Sequence, residues 1–126
     1  MTNLLLVDDE PVLVHALSRL LRQAAYTIHT AEDAQEAQRL LKSRSIDLIV
    51  SDQTMPGMSG TTLLRWVAEY FPDTVRILLT GWATIGSLDE TNNMPHVDRL
   101  FVKPCDYDQL RSAIKEELEN CRAKSH

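Results

Sequence analysis

Several polar residues that can do chemistry stand just past apolar runs. Asp8 and Asp9 follow Leu4 to Val7, Asp52 comes one serine after Leu48 to Val50, Thr80 follows Val75 to Leu79, and Lys103 follows Leu100 to Val102. Carboxylates crowded into a small cleft repel one another and rise in pKa unless a cation holds them ionised. All-oxygen ligation by carboxylates, with room for carbonyls and water, suits Mg²⁺, and no His or Cys is placed to favour zinc. Asp9 and Asp52 are the expected direct ligands, Asp8 one acting through water, and the backbone carbonyl of Thr54 a completing one. A carboxylate can also be a nucleophile that forms an aspartyl phosphate when a metal and fixed donors neutralise the transferred group. Asp52 is the candidate, with Lys103 as a point cation and Thr80 as a hydroxyl donor around the phosphoryl oxygens.

These residues meet only if the runs that precede them are neighbouring strands. Leu4 to Val7 reads as a short buried strand, and from Pro11 apolar residues recur at Leu13, Ala16, Leu17, Leu20, Leu21 and Ala24 with helical spacing. A second strand near Tyr26 to Thr30 leads to a helix striped by Ala34, Ala37, Leu40 and Leu41. Leu48 to Val50 forms the third strand, Leu63, Leu64, Val67 and Phe71 stripe a helix that Pro72 ends, and Val75 to Leu79 gives the fourth. Between Gly81 and Met94 the helical signal is poor, because Gly86 interrupts it. Leu100 to Val102 is the fifth strand, and Leu110, Ala113, Ile114, Leu118 and Cys121 stripe a final helix. Five strands alternating with five helices imply a doubly wound α/β fold, a parallel sheet covered on both faces. In strand order 2-1-3-4-5 the ligand crevice lies outside the carboxyl ends of strands one and three. The polar residues sit at that edge.

At 126 residues, with no Pro-, Gly- or Ser-rich divide, the chain is expected to be one domain over 1–126. No apolar run approaches a membrane span, and "MTNLLLVDDE" lacks the basic and apolar regions of an export signal. Cys105 and Cys121 form no metal or disulfide pattern and read as reduced thiols in the cytoplasm. A net charge of −5 argues against direct nucleic-acid binding. His15, His29, His96 and His126 are scattered and read as non-catalytic.

The segments "VDDE", "SDQTMPGMSG", "LLTG" and "VKP", in this order and spacing, resemble the receiver domains of bacterial two-component response regulators over essentially the whole chain. That resemblance implies a flavodoxin-like, CheY-like three-layer sandwich. It also implies that Asp52 accepts a phosphoryl group from a histidine kinase or phosphotransfer protein. Residues matching Asp8 and Asp9 bind Mg²⁺ in that family, the match of Thr80 shifts toward the phosphoryl group, and the match of Lys103 pairs with it. The peptide bond matching Lys103–Pro104 is usually cis. The chain is then a signalling phosphoacceptor rather than an enzyme. Its output is a changed set of protein contacts with a downstream protein or an attached domain, and the face of the fourth helix, fifth strand and fifth helix is the expected surface, also for a homodimer. Two departures stand out: Leu100 occupies the place of a common switch aromatic, and Trp82 lies where side chains tune hydrolysis and is expected to shield Asp52.

Other occupants of such folds fit less well. A phosphatase of the haloacid dehalogenase type needs a second acid two residues after its nucleophile, where this chain has Thr54. A flavin or nucleotide carrier needs a phosphate cradle after strand one, and "DDEP" would repel a phosphate. A receiver that acts as a phosphorylation-independent binding module is the remaining alternative, kept open by Leu100.

Overall fold

The computed structural model describes residues 2–22, 26–81, 96–103 and 106–124, with the backbone alone over 121–124. The elements run β1 (Asn3–Val7), α1 (Pro11–Arg22), β2 (Thr27–Ala31), α2 (Ala34–Ser43), β3 (Leu48–Asp52), α3 (Gly60–Tyr70), β4 (Val75–Gly81), β5 (Arg99–Lys103) and α4 (Tyr107–Lys124). The helix expected between Gly81 and Met94 lies outside the described residues, as do Trp82, Cys105, His126 and the Lys103–Pro104 peptide bond.

All strands are parallel, in the order β2-β1-β3-β4-β5. The sheet is a doubly wound, flavodoxin-like one, and its alternating side chains build a core on each face. Leu4, Leu6, Leu48, Val50, Ile77 and Leu79 pack with Leu17 and Leu21 of α1 and with Leu110, Ile114 and Leu118 of α4. Leu5, Val7, Ile49 and Leu78 pack with Ala37 and Leu41 of α2 and with Leu63, Leu64 and Val67 of α3. Helices on both sides explain why Leu4 to Val7 of β1 and Leu48 to Val50 of β3 are continuous apolar runs. Each fully buried leucine contributes roughly 1.5–3 kcal/mol.

Three strands reach further than their apolar runs. Pairing continues at Asp52↔Leu79 and Gly81↔Lys103, so Asp52, Thr80 and Lys103 are strand residues rather than loop residues. The carboxyl edge is therefore as rigid as the sheet. Local chemistry stops the helices. Asp33 caps α2 by accepting from the Glu36 amide at 2.8 Å, Ser59 caps α3 by accepting from the Thr62 amide at 3.3 Å, and Phe71 closes α3 through its amide to Val67 O, with Pro72 next.

The chain leaves Asp52 through a turn in which Gly57 has φ 83°, a left-handed conformation that glycine takes at little cost. Gly60 has a different reason. A Cβ there would strike the Asp52 carbonyl oxygen and lie 2.9 Å from both the Asp52 carbonyl carbon and Gln53 Cα. Those neighbours are backbone and cannot swing aside. Gly60→Ala is expected to cost about 1–3 kcal/mol, the usual range for overpacking, read as a lower urea midpoint at unchanged slope.

Candidate functional site

The site is built from the ends of β1, β3, β4 and β5. Asp8 follows β1, its amide donating to Ala31 O at 3.1 Å as the ladder's last bond. Its Oδ1 accepts from the Glu10 amide at 2.9 Å, which fixes the carboxylate. Its Oδ2 takes the Lys103 ammonium at 3.0 Å, and the same Nζ lies 3.1 Å from Asp52 Oδ1. Glu10 stands farther off, 3.9 Å from Nζ and exposed. Asp8 and Asp52 are buried, whereas Asp9 is exposed, yet one carboxylate oxygen from each of the three lies within 4.8 Å of the others. Among the described residues this acidic group is the one with a spacing suited to a metal ion, and no histidine joins it.

The electrostatics follow from burial and crowding. Burial first, then the neighbouring Asp8, pushes the Asp52 carboxyl above the ordinary aspartate range. Lys103 and the Gln53 backbone amide pull it back without cancelling the rise. Burial works against a charged Lys103, but its hydrogen bonds and charge attraction to Asp8 and Asp52 prevail and raise its pKa. The ammonium is thus the internal counter-ion of two buried carboxylates. An all-oxygen set of three carboxylates at this spacing fits a hard divalent cation such as Mg²⁺.

Thr80 lies next to Leu79, the register partner of Asp52, and next to Gly81, the partner of Lys103. It is fully buried, and its Oγ1 has no hydrogen-bond partner among the described residues. A buried hydroxyl without a partner carries a desolvation cost of about 1–3 kcal/mol. Thr54 is exposed on the loop after β3. Leu100 packs against the core beneath α2 and α3, and Phe101 against the opposite one, as strand alternation requires.

Sequence reasoning passed over Gln53. It is buried directly after Asp52, its amide donates to Leu79 O at 2.8 Å, and its side chain reaches Thr61 at the start of α3. Only the hydroxyl-rich helix start "SGTT" hinted at a capping partner. His29 lies elsewhere, 3.3 Å from Asn3 Oδ1, and the His96 carbonyl accepts from Arg76 Nε.

The family model of the response regulator receiver domain matches residues 4–115. The transcriptional regulatory protein GlrR of Escherichia coli strain K12 is 34% identical over 93% of this chain and 26% of its own length. The chain spans roughly a quarter of the length of the curated relatives it matches first. A signal receiver domain of an HD domain-containing protein from Pseudomonas fluorescens Pf-5 superposes with a TM-score of 0.89 at 36% identity, covering 98% of this chain and 91% of that one. The response regulator protein TrrA from Thermotoga maritima, solved in complex with Mg²⁺ and BeF, gives 0.81 at 32% identity over 92% and 98%. The acidic cluster, the strand order and the matched family model together establish that this chain belongs to the response regulator receiver domains.

Proposed function

We propose that Asp52 is the phosphoacceptor of a two-component signalling switch in the cytoplasm, within one receiver domain over 1–126. The observation that carries this reading is the pair of buried carboxylates, Asp8 and Asp52, bridged by Lys103 beside Asp9 at an open strand edge. A carboxylate oxygen of Asp52 attacks the phosphorus of a phosphohistidine on a kinase or phosphotransfer protein. An O–P bond forms, the N–P bond breaks, and the electron pair leaves with the imidazole nitrogen. Asp9, Asp52 and the Thr54 carbonyl would hold Mg²⁺ directly and Asp8 through water; when bound, Mg²⁺ offsets the negative charge of the carboxylates and of the transferred group. Lys103 gives up its bond to Asp52 and pairs with a phosphoryl oxygen, and the Thr80 hydroxyl donates to another.

The output is a change in protein contacts. Arg99 of β5 is held by Glu116 at 2.7 Å and Glu117 at 2.9 Å of α4, so displacement of β5 near Lys103 is passed to α4. That face is the proposed surface for a downstream protein, an attached domain or a second copy of the chain.

Intact-mass measurement after incubation with acetyl phosphate tests the reading. The expected result is a Mg²⁺-dependent phosphoryl adduct on the parent and none on Asp52→Asn. A parent that gains no adduct and binds no beryllofluoride would leave a phosphorylation-independent binding module in its place.

Thermal denaturation gives a second test. Mg²⁺ at about a hundred times its Kd is expected to stabilise the parent by about 2.7 kcal/mol, with most of the effect absent from Asp52→Asn. Without Mg²⁺, Asp52→Asn should melt above the parent at neutral pH, because the fold disfavours the ionised form of this carboxyl. The sign with pH follows from the same shift. The folded pKa of Asp52 is raised, so its cost to stability is absent well below the unfolded pKa, grows as pH rises from the unfolded value to the folded one, and is fully present above it. Mg²⁺ binding, which needs the ionised form, should accordingly weaken at a higher pH than an ordinary aspartate would impose.

A further inference from the structure

The first amides of a helix have no partners within it, and something else must satisfy them. At α3 that supply is divided. Ser59 serves locally, its Oγ accepting from the Thr62 amide at 3.3 Å and its carbonyl from the Leu63 amide at 3.0 Å. The two amides before these are served from across the loop by one residue. Gln53 O accepts from the Gly60 amide at 2.9 Å, and Gln53 Oε1 accepts from the Thr61 amide at 2.8 Å. Its Nε2 donates to Thr61 Oγ1 at 3.3 Å, and its backbone amide donates to Leu79 O at 2.8 Å. A buried residue therefore joins β4, the phosphoacceptor strand and the start of α3, and it closes the loop containing Thr54 upon itself.

We infer that Gln53 is a positioning residue for the metal site, an inference that rests on the function proposed above. Gln53 lies between two of the groups proposed to hold Mg²⁺: the Asp52 carboxylate precedes it, and the Thr54 carbonyl follows it. Its side-chain clamp on Thr61 prevents the loop from pivoting about the strand end. Loss of an outer partner that orients metal ligands commonly lowers metal affinity 10–100-fold without removing a ligand. A side chain of this length is required. An asparagine is one methylene shorter, and a methionine fills the space with only a weakly accepting thioether for the amide.

The parent, Gln53→Met, Gln53→Glu and Ser59→Ala are compared by Mg²⁺ titration calorimetry, urea midpoint and hydrogen exchange at the Thr61 amide. Gln53→Met is expected to lose protection at Thr61 and to bind Mg²⁺ about tenfold more weakly or worse. Gln53→Glu, whose carboxylate accepts from the same amide and from the Thr61 hydroxyl, should keep the protection and bind within about threefold of the parent. Ser59→Ala removes a cap from the same helix and a 3.1 Å contact to the Thr61 hydroxyl, but leaves both the Gln53 acceptor of the Thr61 amide and the backbone link to β3 in place. It should lower the urea midpoint while leaving Mg²⁺ affinity within about twofold. Parent-like Mg²⁺ binding by Gln53→Met, or equal weakening by Ser59→Ala, overturns the positioning role and leaves the functional reading intact. A parent that binds no Mg²⁺ overturns the functional reading, and the inference with it.

Discussion

The Lys103 ammonium, 3.0 Å from Asp8 and 3.1 Å from Asp52, is the interaction on which the rest of the site depends. Two buried carboxylates at the ends of adjacent strands repel each other, and burial together with that repulsion disfavours the ionised form of Asp52. One cation placed between them makes the arrangement tolerable. Breaking a buried pair by removing one partner leaves an uncompensated charge, which in comparable settings costs on the order of 3–5 kcal/mol. Lys103 is therefore part of the fold's electrostatics in addition to any role toward a ligand.

That bridge is possible because the sheet holds its three members in register. β5 pairs with β4 as far as Gly81↔Lys103, β4 pairs with β3 as far as Asp52↔Leu79, and β1 is tied to β3 along Leu4 to Val7. A side chain at the last paired position of a strand inherits the rigidity of the ladder, whereas one on a loop does not. The return of the chain after Asp52 is fixed as tightly. Gly60 lets α3 begin against the Asp52 carbonyl, and Ser51 Oγ donates to that same oxygen at 3.0 Å. Little freedom is left to the backbone of Asp52.

Much of this was legible in the residues. Alternating apolar runs and helical stripes specify strands and helices on both faces, and the resemblance to receiver domains selects the order 2-1-3-4-5 among the doubly wound ones. The position of Asp8, Asp52, Thr80 and Lys103 behind their runs was enough to bring them to one edge. Apolar periodicity, however, ends where the polar residues begin, so it could not show that pairing continues through Asp52, Gly81 and Lys103. Nor could it show that Lys103 holds two carboxylates at once, since that depends on side-chain reach between strands distant in the chain. Gly60 read as a residue easing helix entry, whereas its contact with Asp52 is a matter of backbone approach across the loop. Gln53 escaped notice because a glutamine beside an acidic motif carries no periodic signal, and its partner Thr61 lies eight residues away.

Charge arithmetic connects this structure to a switch. In the arrangement described, one ammonium serves the two buried carboxylates, while Asp9 and Glu10 stand at the rim. Converting the Asp52 carboxylate to an acyl phosphate replaces a charge of −1 with one of about −2 and adds oxygens that accept hydrogen bonds. Lys103 alone cannot balance that increase and keep both of its present bonds, so under the function proposed above its bond to Asp52 would be exchanged for one to a phosphoryl oxygen. The buried Thr80 hydroxyl, unpaired among the described residues, would under the same proposal gain an acceptor. Under the function proposed above, the phosphoryl group would bring new partners to Lys103 and Thr80, and contacts made in one state only supply the differential interaction energy that a two-state switch requires.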